Sequence, residues 1–215
     1  IVKLPVSDFG MPKFEIKIRW ILIAILLPCI IKGIYVLIFN GEYVSSNMNG
    51  NEMFNTLSAG VAFTGIAAGF VEEMVFRGVI LNALKKRWNM KVAVIVPSML
   101  FGIVHVLGQD FSIGSCLLVI IAGTMVGVMF SMIAIESGSV WNSGIVHAIW
   151  NIVIIGGGLA IGEKMDPYSV MTYVLDSKVF AITGGEFGIE SSVISLIGYI
   201  IVAGCLLYTS PSPRD

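Results

Sequence analysis

One stretch of the chain decides the fold: Ser115–Ile135, SCLLVIIAGTMVGVMFSMIAI, which has 21 residues and no charged side chain. A helix that crosses the hydrocarbon core of a bilayer, about 30 Å thick, needs roughly 20 consecutive apolar residues. The sequence therefore predicts a membrane-spanning helix at this point of the chain.

The composition of the whole chain agrees with that prediction. Of its 215 residues, 56% are hydrophobic and 13% are charged, and the mean hydropathy is +0.91. Soluble domains carry about 25% charged residues, so this chain lacks the polar side chains that would cover a water-soluble surface. A soluble enzyme and a disordered segment are excluded. The net charge of −1 argues against a nucleic-acid partner.

Other apolar segments meet or approach the length of a span. They are Trp20–Phe39, Phe54–Leu84, Val92–Leu107, Val140–Ile161 and Ser191–Tyr208. We therefore predict an all-α, polytopic transmembrane helical bundle with about six spans, whose immediate partner is membrane lipid.

The sequence indicates one domain followed by a short tail. Residues 1–208 are interpreted as one transmembrane domain with a motif core at residues 54–158. The tail at residues 209–215 breaks abruptly from the apolar run before it, and we interpret it as non-native.

Basic residues predict the orientation. They cluster before the first span and between the second and third, at Lys13, Lys17, Arg19, Lys85, Lys86, Arg87 and Lys91. Both clusters fall on one side if six spans alternate, and basic loops remain in the cytoplasm. We expect an integral membrane protein with a cytoplasmic N terminus and the acidic loop Gly162–Glu190 outside. A short chain of this style suggests a bacterial plasma membrane.

Ionisable side chains inside the spans fall into three short motifs. In the first, Glu72-Glu73-Met-Val-Phe-Arg77, positions 73 and 77 share a helix face and can form an ion pair. Glu72 is rotated by about 100° and points elsewhere. It is then either protonated and inert or held ionised as a base.

The other two motifs each contain one of the chain's two histidines. His105 closes Phe101-Gly-Ile-Val-His105, and His147 opens His147-Ala-Ile-Trp-Asn151. A histidine beside an amide donor can stabilise an oxyanion, although each motif alone could equally be a packing or hydrogen-bonded pair. Two histidines and a glutamate can bind zinc or activate water directly.

In this order on successive spans, EExxxR, FxxxH and HxxxN resemble the motifs of the CPBP family. That family comprises CAAX proteases and bacteriocin-processing enzymes, also called abortive-infection proteins, and includes the Ras-converting CAAX endopeptidase. The resemblance covers roughly Phe54 to Gly158. It implies an intramembrane endopeptidase acting on a membrane-associated or prenylated peptide or protein.

The resemblance also implies roles for residues. Glu72 acts with His105 to activate the attacking water, and Glu73 and Arg77 support that geometry. His147 and Asn151 stabilise the oxyanion of the tetrahedral intermediate. The family is usually classed with metallopeptidases, and a metal-free mechanism is also proposed for it. Zinc therefore stays a possible cofactor, with Glu72, His105 and His147 as its candidate ligands.

Two alternatives remain open at the level of sequence. The same buried glutamates and histidines could serve a proton-coupled transporter or a membrane scaffold without enzymatic activity. The predicted depths of the motif residues in the membrane do not agree with one another. Counted from the outer face, Glu72 and His147 lie near ~20 Å and His105 near ~10 Å, so the third span must start deeper, kink at Pro97 or tilt.

Overall fold

The computed structural model describes residues 5–209 and consists of six apolar helices. They are α1 (Ile18–Ile38), α2 (Gly50–Arg87), α3 (Met90–Val104), α4 (Ile113–Ser137), α5 (Val140–Ile155) and α6 (Val193–Thr209). The first, second and fourth are long and apolar enough to cross a membrane, and the other three are shorter. The predicted helical bundle is confirmed. Most of the predicted non-native tail, from residue 210 onward, lies outside the described residues.

Three strands that the sequence did not predict lie in the loops at one end of the bundle. They are β1 (Gly41–Ser45), β2 (Leu159–Gly162) and β3 (Met171–Leu175). Strand β3 is central, antiparallel to β1 and parallel to β2, so that Tyr173 is paired with both Tyr43 and Ile161. This sheet ties the loop after α1 to the loop after α5.

The predicted fifth span, Val140–Ile161, extends beyond the C-terminal end of the helix that the structure shows. Helix α5 stops at Ile155, and Gly156, Gly157 and Gly158 separate it from β2. Gly157 has a φ of 80°, a left-handed conformation that glycine adopts without strain. The apolar residues after it belong to a strand because they pair with β3, not because they continue the helix.

Helix α2 is not a regular α-helix. A capping box between Asn49 and Glu52 begins it. Two π-helical segments, Gly60–Ala67 and Met74–Ile80, then interrupt it, and the second contains Arg77 of the first motif. Segments of this kind are rare and recur at functional sites, because they change which carbonyl groups and side chains face a neighbour.

Small residues let the motif-bearing helices approach closely. A Cβ atom on Gly69 would lie 2.7 Å from the backbone nitrogen of Ala148, so α2 and α5 touch through their backbones. A Cβ atom on Gly123 would lie 2.6 Å from the Cα atom of Gly102, which joins α4 to α3 in the same way. Membrane helices pack through such small-residue contacts. They bring the three motifs together.

Lys32 anchors α1 to the end of α5. Its ammonium group donates hydrogen bonds to the carbonyl oxygens of Val153 and Leu159. A cation at the C-terminal end of a helix complements the helix dipole and the carbonyl groups that lack helical partners there. The lysine that interrupts the first apolar segment therefore fixes the end of the helix that carries His147 and Asn151.

Candidate active site inside the bundle

The three motifs meet at one cavity of about 160 Å³. Glu72 from α2, His105 from the end of α3, and His147 and Asn151 from α5 all line it. Most of the remaining wall is apolar, and α4 contributes Val119, Ala122, Val126 and Phe130 to it. Residues that the sequence places on three separate spans therefore share a single cavity.

The predicted pair of Glu73 and Arg77 is present and fully buried. Arg77 Nη1 donates to Glu73 Oε1 at 2.6 Å, and both side chains are 0% exposed. Arg77 Nη2 also donates to the Gly127 carbonyl at 2.9 Å, and its Nε donates to Ser131 Oγ at 3.4 Å. The guanidinium group also lies 4.6 Å from the ring centroid of Phe101. This ion pair thus joins α2 to α4 and α3 in the protein interior.

Glu73 also orients His147. Its Oε1 atom lies 3.2 Å from His147 Nδ1, and an ionised carboxylate can only accept a hydrogen bond, so Nδ1 carries the proton. The imidazole ring stacks on Phe130, with the ring centroids 4.6 Å apart. Nε2 is therefore the His147 nitrogen that remains available for chemistry.

Glu72 occupies a different environment from its neighbour in sequence. Its side chain is 32% exposed, and its Oε2 atom lies 3.9 Å from His147 Nε2. That distance is too long for a hydrogen bond, and Oε2 accepts none from the described residues. A buried carboxylate oxygen without a donor, in a cavity that two histidines and Asn151 also line, is a natural place for a water molecule.

His105 is held by its own helix. Its Nδ1–H donates to the carbonyl oxygen of Phe101 at 2.6 Å, because that oxygen can only accept. This leaves Nε2 free. His105 follows the last residue of α3, so the Phe–His motif ends the helix at the cavity.

The different depths that the sequence gives for Glu72 and His105 become equal when residues are counted from the turn between α2 and α3. Glu72 lies fifteen residues before Arg87, where α2 ends, and His105 lies fifteen residues after Met90, where α3 begins. Both are therefore roughly 22 Å from that turn at a rise of about 1.5 Å per residue. The predicted third span, Val92–Leu107, overestimated how far the helix continues, because it ends at Val104.

Asn151 is fixed by a π-helical segment of α2. The backbone nitrogen of Ala68 donates to Phe63 and Gly65 and not to Thr64, four residues earlier, as a regular α-helix would require. The free Thr64 carbonyl accepts a hydrogen bond from Asn151 Nδ2 at 2.9 Å. The other N–H of the Asn151 amide remains available beside the cavity.

The candidate zinc ligands do not form a compact ligand set. Across residues 5–209, no three His, Cys, Asp or Glu side chains lie close enough together to hold a metal ion. The Nδ1 atoms of both histidines are already engaged with protein oxygens. The side chains as arranged therefore do not fit a site in which Glu72, His105 and His147 share one zinc ion.

Sequence analysis missed the loop that closes the cavity. Phe187 and Glu190, from two 3₁₀ turns just before α6, complete the cavity wall. The ring centroid of Phe187 lies 6.1 Å from that of His105. Neither residue belongs to a motif, and only the folding of the loop over the bundle brings them there.

The comparisons with known proteins agree with this geometry. A family model described as type II CAAX prenyl endopeptidase Rce1-like matches residues 54–153, which contain all three motifs. Comparison with curated proteins and with solved structures gave no match. Residues 54–153 of this integral membrane protein are therefore similar to the Rce1-like type II CAAX prenyl endopeptidases.

Proposed function

We propose that the protein hydrolyses a peptide bond in a membrane-associated peptide or protein, using a water molecule activated beside Glu72. The observation that carries this proposal is the shared cavity, in which Glu72 Oε2 accepts no hydrogen bond while Nε2 of two oriented histidines is free. The match of residues 54–153 to the Rce1-like family model supports the same reaction class.

The first step needs a base and a positioned water. Glu72 accepts a proton from the water, and His105 Nε2 holds the same water by accepting its second hydrogen. A base within reach of the proton that it removes typically contributes about 10²–10⁴-fold to the rate. The resulting hydroxide attacks the carbonyl carbon of the scissile bond.

The second step needs donors for the oxyanion that the attack creates. The free N–H of Asn151 is one donor. His147 becomes the other when Nε2 also carries a proton, and Glu72 Oε2, 3.9 Å away, is the neighbour that can deliver it. Donors that are already fixed, here by Thr64 and Glu73, stabilise the transition state without reorganising.

A membrane-anchored substrate fits the location of the cavity. Many large apolar side chains on the outer faces of the helices are exposed and require lipid around them, including Leu22, Ile30, Leu37, Phe63 and Leu117. The cavity lies among these helices, so a substrate reaches it from the bilayer or its surface. A prenylated or otherwise lipid-anchored peptide has this property.

The basic residues support an orientation with the N terminus and the turn Lys85–Lys91 in the cytoplasm. The test uses single cysteines placed beside Lys86 and beside Glu163 in a background without the three native cysteines. An impermeant reagent applied to intact cells should label only the second. Labelling of both sites from outside would contradict this orientation.

The activity is tested with purified protein in liposomes and a library of lipid-anchored peptides, followed by mass spectrometry. We expect product pairs whose masses sum to that of the substrate plus one water. The Glu72→Gln variant is the matched control and should give none. An absence of products together with Glu72-dependent proton flux across the liposomes would favour a transporter instead.

A further inference from the structure

One ionisable side chain of the cavity has no place in the three motifs. The ionisable residues lining it in the described part of the chain are Glu72, His105, His147 and Glu190. Glu190 lies outside the segment that matches the family model and comes from the turn before α6. We propose that Glu190 is the acid that protonates the departing amine, an inference that rests on the proposed peptide hydrolysis.

The position of Glu190 suits this role. It lines the catalytic cavity together with Glu72 and Asn151. The carbonyl carbon and the nitrogen of a scissile bond would lie among these side chains. It also lines a second cavity of about 330 Å³, which shares Ile155 and Phe187 with the first. Glu190 therefore stands in the wall between the two spaces.

A hydrogen bond holds the backbone of Glu190 in place, and its carboxyl group has no basic partner within residues 5–209. Its backbone carbonyl accepts a hydrogen bond from the Tyr199 hydroxyl at 2.9 Å, which holds the turn against α6. Within residues 5–209 the carboxyl group forms no ion pair with a basic side chain, in contrast to Glu73 and Arg77. The backbone is anchored, and the side chain lines the cavity beside Trp150, its hydrogen-bond partner.

The environment of this carboxyl group favours its protonated form. Burial raises the pKa of Glu190 to about 7, and the negative charge of Glu72 adds to the shift while the Trp150 side chain opposes it. A carboxylic acid that retains its proton near neutral pH can donate it. Glu72 and Glu190 therefore have different environments within one cavity, as a base and an acid require.

Several other titratable groups lie around Glu190, and their charges contribute to its pH dependence. They are Glu72 of α2, His105 after α3, His147 of α5, Tyr199 of α6, and Lys164, Asp166 and Glu186 of the loops. Among them, Lys164, Asp166 and Glu186 line only the second cavity. They give it a polar wall through which water can reach Glu190.

The proton balance of the reaction closes with this assignment. Water gives one proton to Glu72 and its hydroxide to the carbonyl carbon. When the C–N bond breaks, the nitrogen takes the proton of Glu190 and leaves as an amine, and Glu190 becomes a carboxylate. Glu72 passes its proton to His147 Nε2, and this proton leaves with the products after the oxyanion has collapsed. Water in the second cavity reprotonates Glu190.

The test compares Glu190→Gln with the parent on two substrates of the same sequence, one with a scissile amide and one with a scissile ester. An ester oxygen leaves without prior protonation, whereas an amide nitrogen does not. We expect kcat for the amide to fall by about 10²-fold or more at unchanged KM, and kcat for the ester to fall by less than about tenfold. Glu42→Gln, exposed on β1 and absent from the walls of both cavities, should match the parent on both.

The pH profile supplies a second readout. With the parent, amide cleavage should decline as the pH rises through about 7, because Glu190 loses its proton there. Glu190→Gln should lack this decline, and Glu190→Asp should restore both part of the rate and the decline. Thermal melting of each variant at pH 6 separates an effect on chemistry from misfolding.

Three results would overturn the assignment: equal amide rates for parent and Glu190→Gln, equal losses on amide and ester, or an unchanged alkaline decline in the variant. A parent that cleaves neither substrate would instead overturn the proposed hydrolysis itself. A parent that cleaves both while the Glu190 variants behave as described supports both proposals.

Discussion

Two adjacent carboxylates of α2 lie in different environments, one on the buried side of the helix and one on its cavity side. On the buried side, Glu73 contacts Arg77 and His147 and is fully enclosed. On the cavity side, the Glu72 side chain is 32% exposed and lines the cavity. Within residues 5–209, Oε2 of each carboxylate accepts no hydrogen bond, so exposure to the cavity distinguishes the two residues. The first arrangement stabilises the bundle and the second is poised for chemistry. A rotation of about 100° between adjacent helical residues is enough to separate the two roles.

The same contrast holds for the histidines. His147 receives its orientation from a long-range contact with Glu73, whereas His105 receives it from the Phe101 carbonyl one helical turn away. Both contacts leave Nε2 free. The buried network should therefore govern stability, and the cavity residues should govern rate.

The largest loss of rate among these variants is expected from His105→Ala. Removing Nε2 takes away the second contact to the attacking water, so we expect cleavage to fall by about 10²–10⁴-fold. The melting temperature should change little, since the His105 side chain is bonded only within its own helix. The measurement is cleavage in liposomes, with Gln109→Ala on the adjacent loop as the control. An active His105→Ala variant would remove this residue from the mechanism.

The largest loss of stability is expected from Arg77→Met. This variant leaves the Glu73 carboxylate buried without its cation, and breaking a buried pair costs about 3–5 kcal/mol. Denaturant or thermal unfolding in detergent measures the cost. Lys91→Met, which removes an exposed cation, should unfold like the parent. Equal stability of the two variants would show that the ion pair does not hold the bundle together.

A smaller effect on rate is expected from Asn151→Ala. The loss of one oxyanion donor typically reduces kcat by about 10²–10³-fold. KM should remain near the parental value if the amide acts only on the transition state. Steady-state kinetics distinguish the two parameters, and Asn51→Ala, exposed at the start of α2, is the control. A rise in KM at constant kcat would assign Asn151 to substrate binding.

The smallest effect is expected from chelation. Because Glu72, His105 and His147 do not converge as ligands, we expect protein stripped of metal, as verified by elemental analysis, to retain its cleavage rate. Activity that is lost on stripping and restored only by zinc would contradict this expectation. It would also mean that these three side chains rearrange around the ion.

Much of this arrangement could be predicted from the sequence, because it depends on local spacing. The Glu73–Arg77 pair follows from an i,i+4 separation, and the three motifs that the sequence shows all lie within the family match at 54–153. The glycines at 156–158 also give a stop signal for α5, although the apolar residues after them obscured it.

The remaining features depend on contacts between distant residues. The π-helical segments of α2 free the Thr64 carbonyl for Asn151, and no composition signal in residues 60–67 indicates them. Glu190 reaches the cavity only because its loop folds over the bundle. Neither the register of α2 nor the path of that loop is encoded in local periodicity.

The most direct test of the division within α2 measures both cleavage rate and melting temperature for Glu72→Gln and Glu73→Gln. We expect Glu72→Gln to lose cleavage at the parental melting temperature. We expect Glu73→Gln to melt at a lower temperature, because the buried Arg77 loses its carboxylate partner. Parental cleavage by Glu72→Gln, or equal lowering of both melting temperatures, would contradict it.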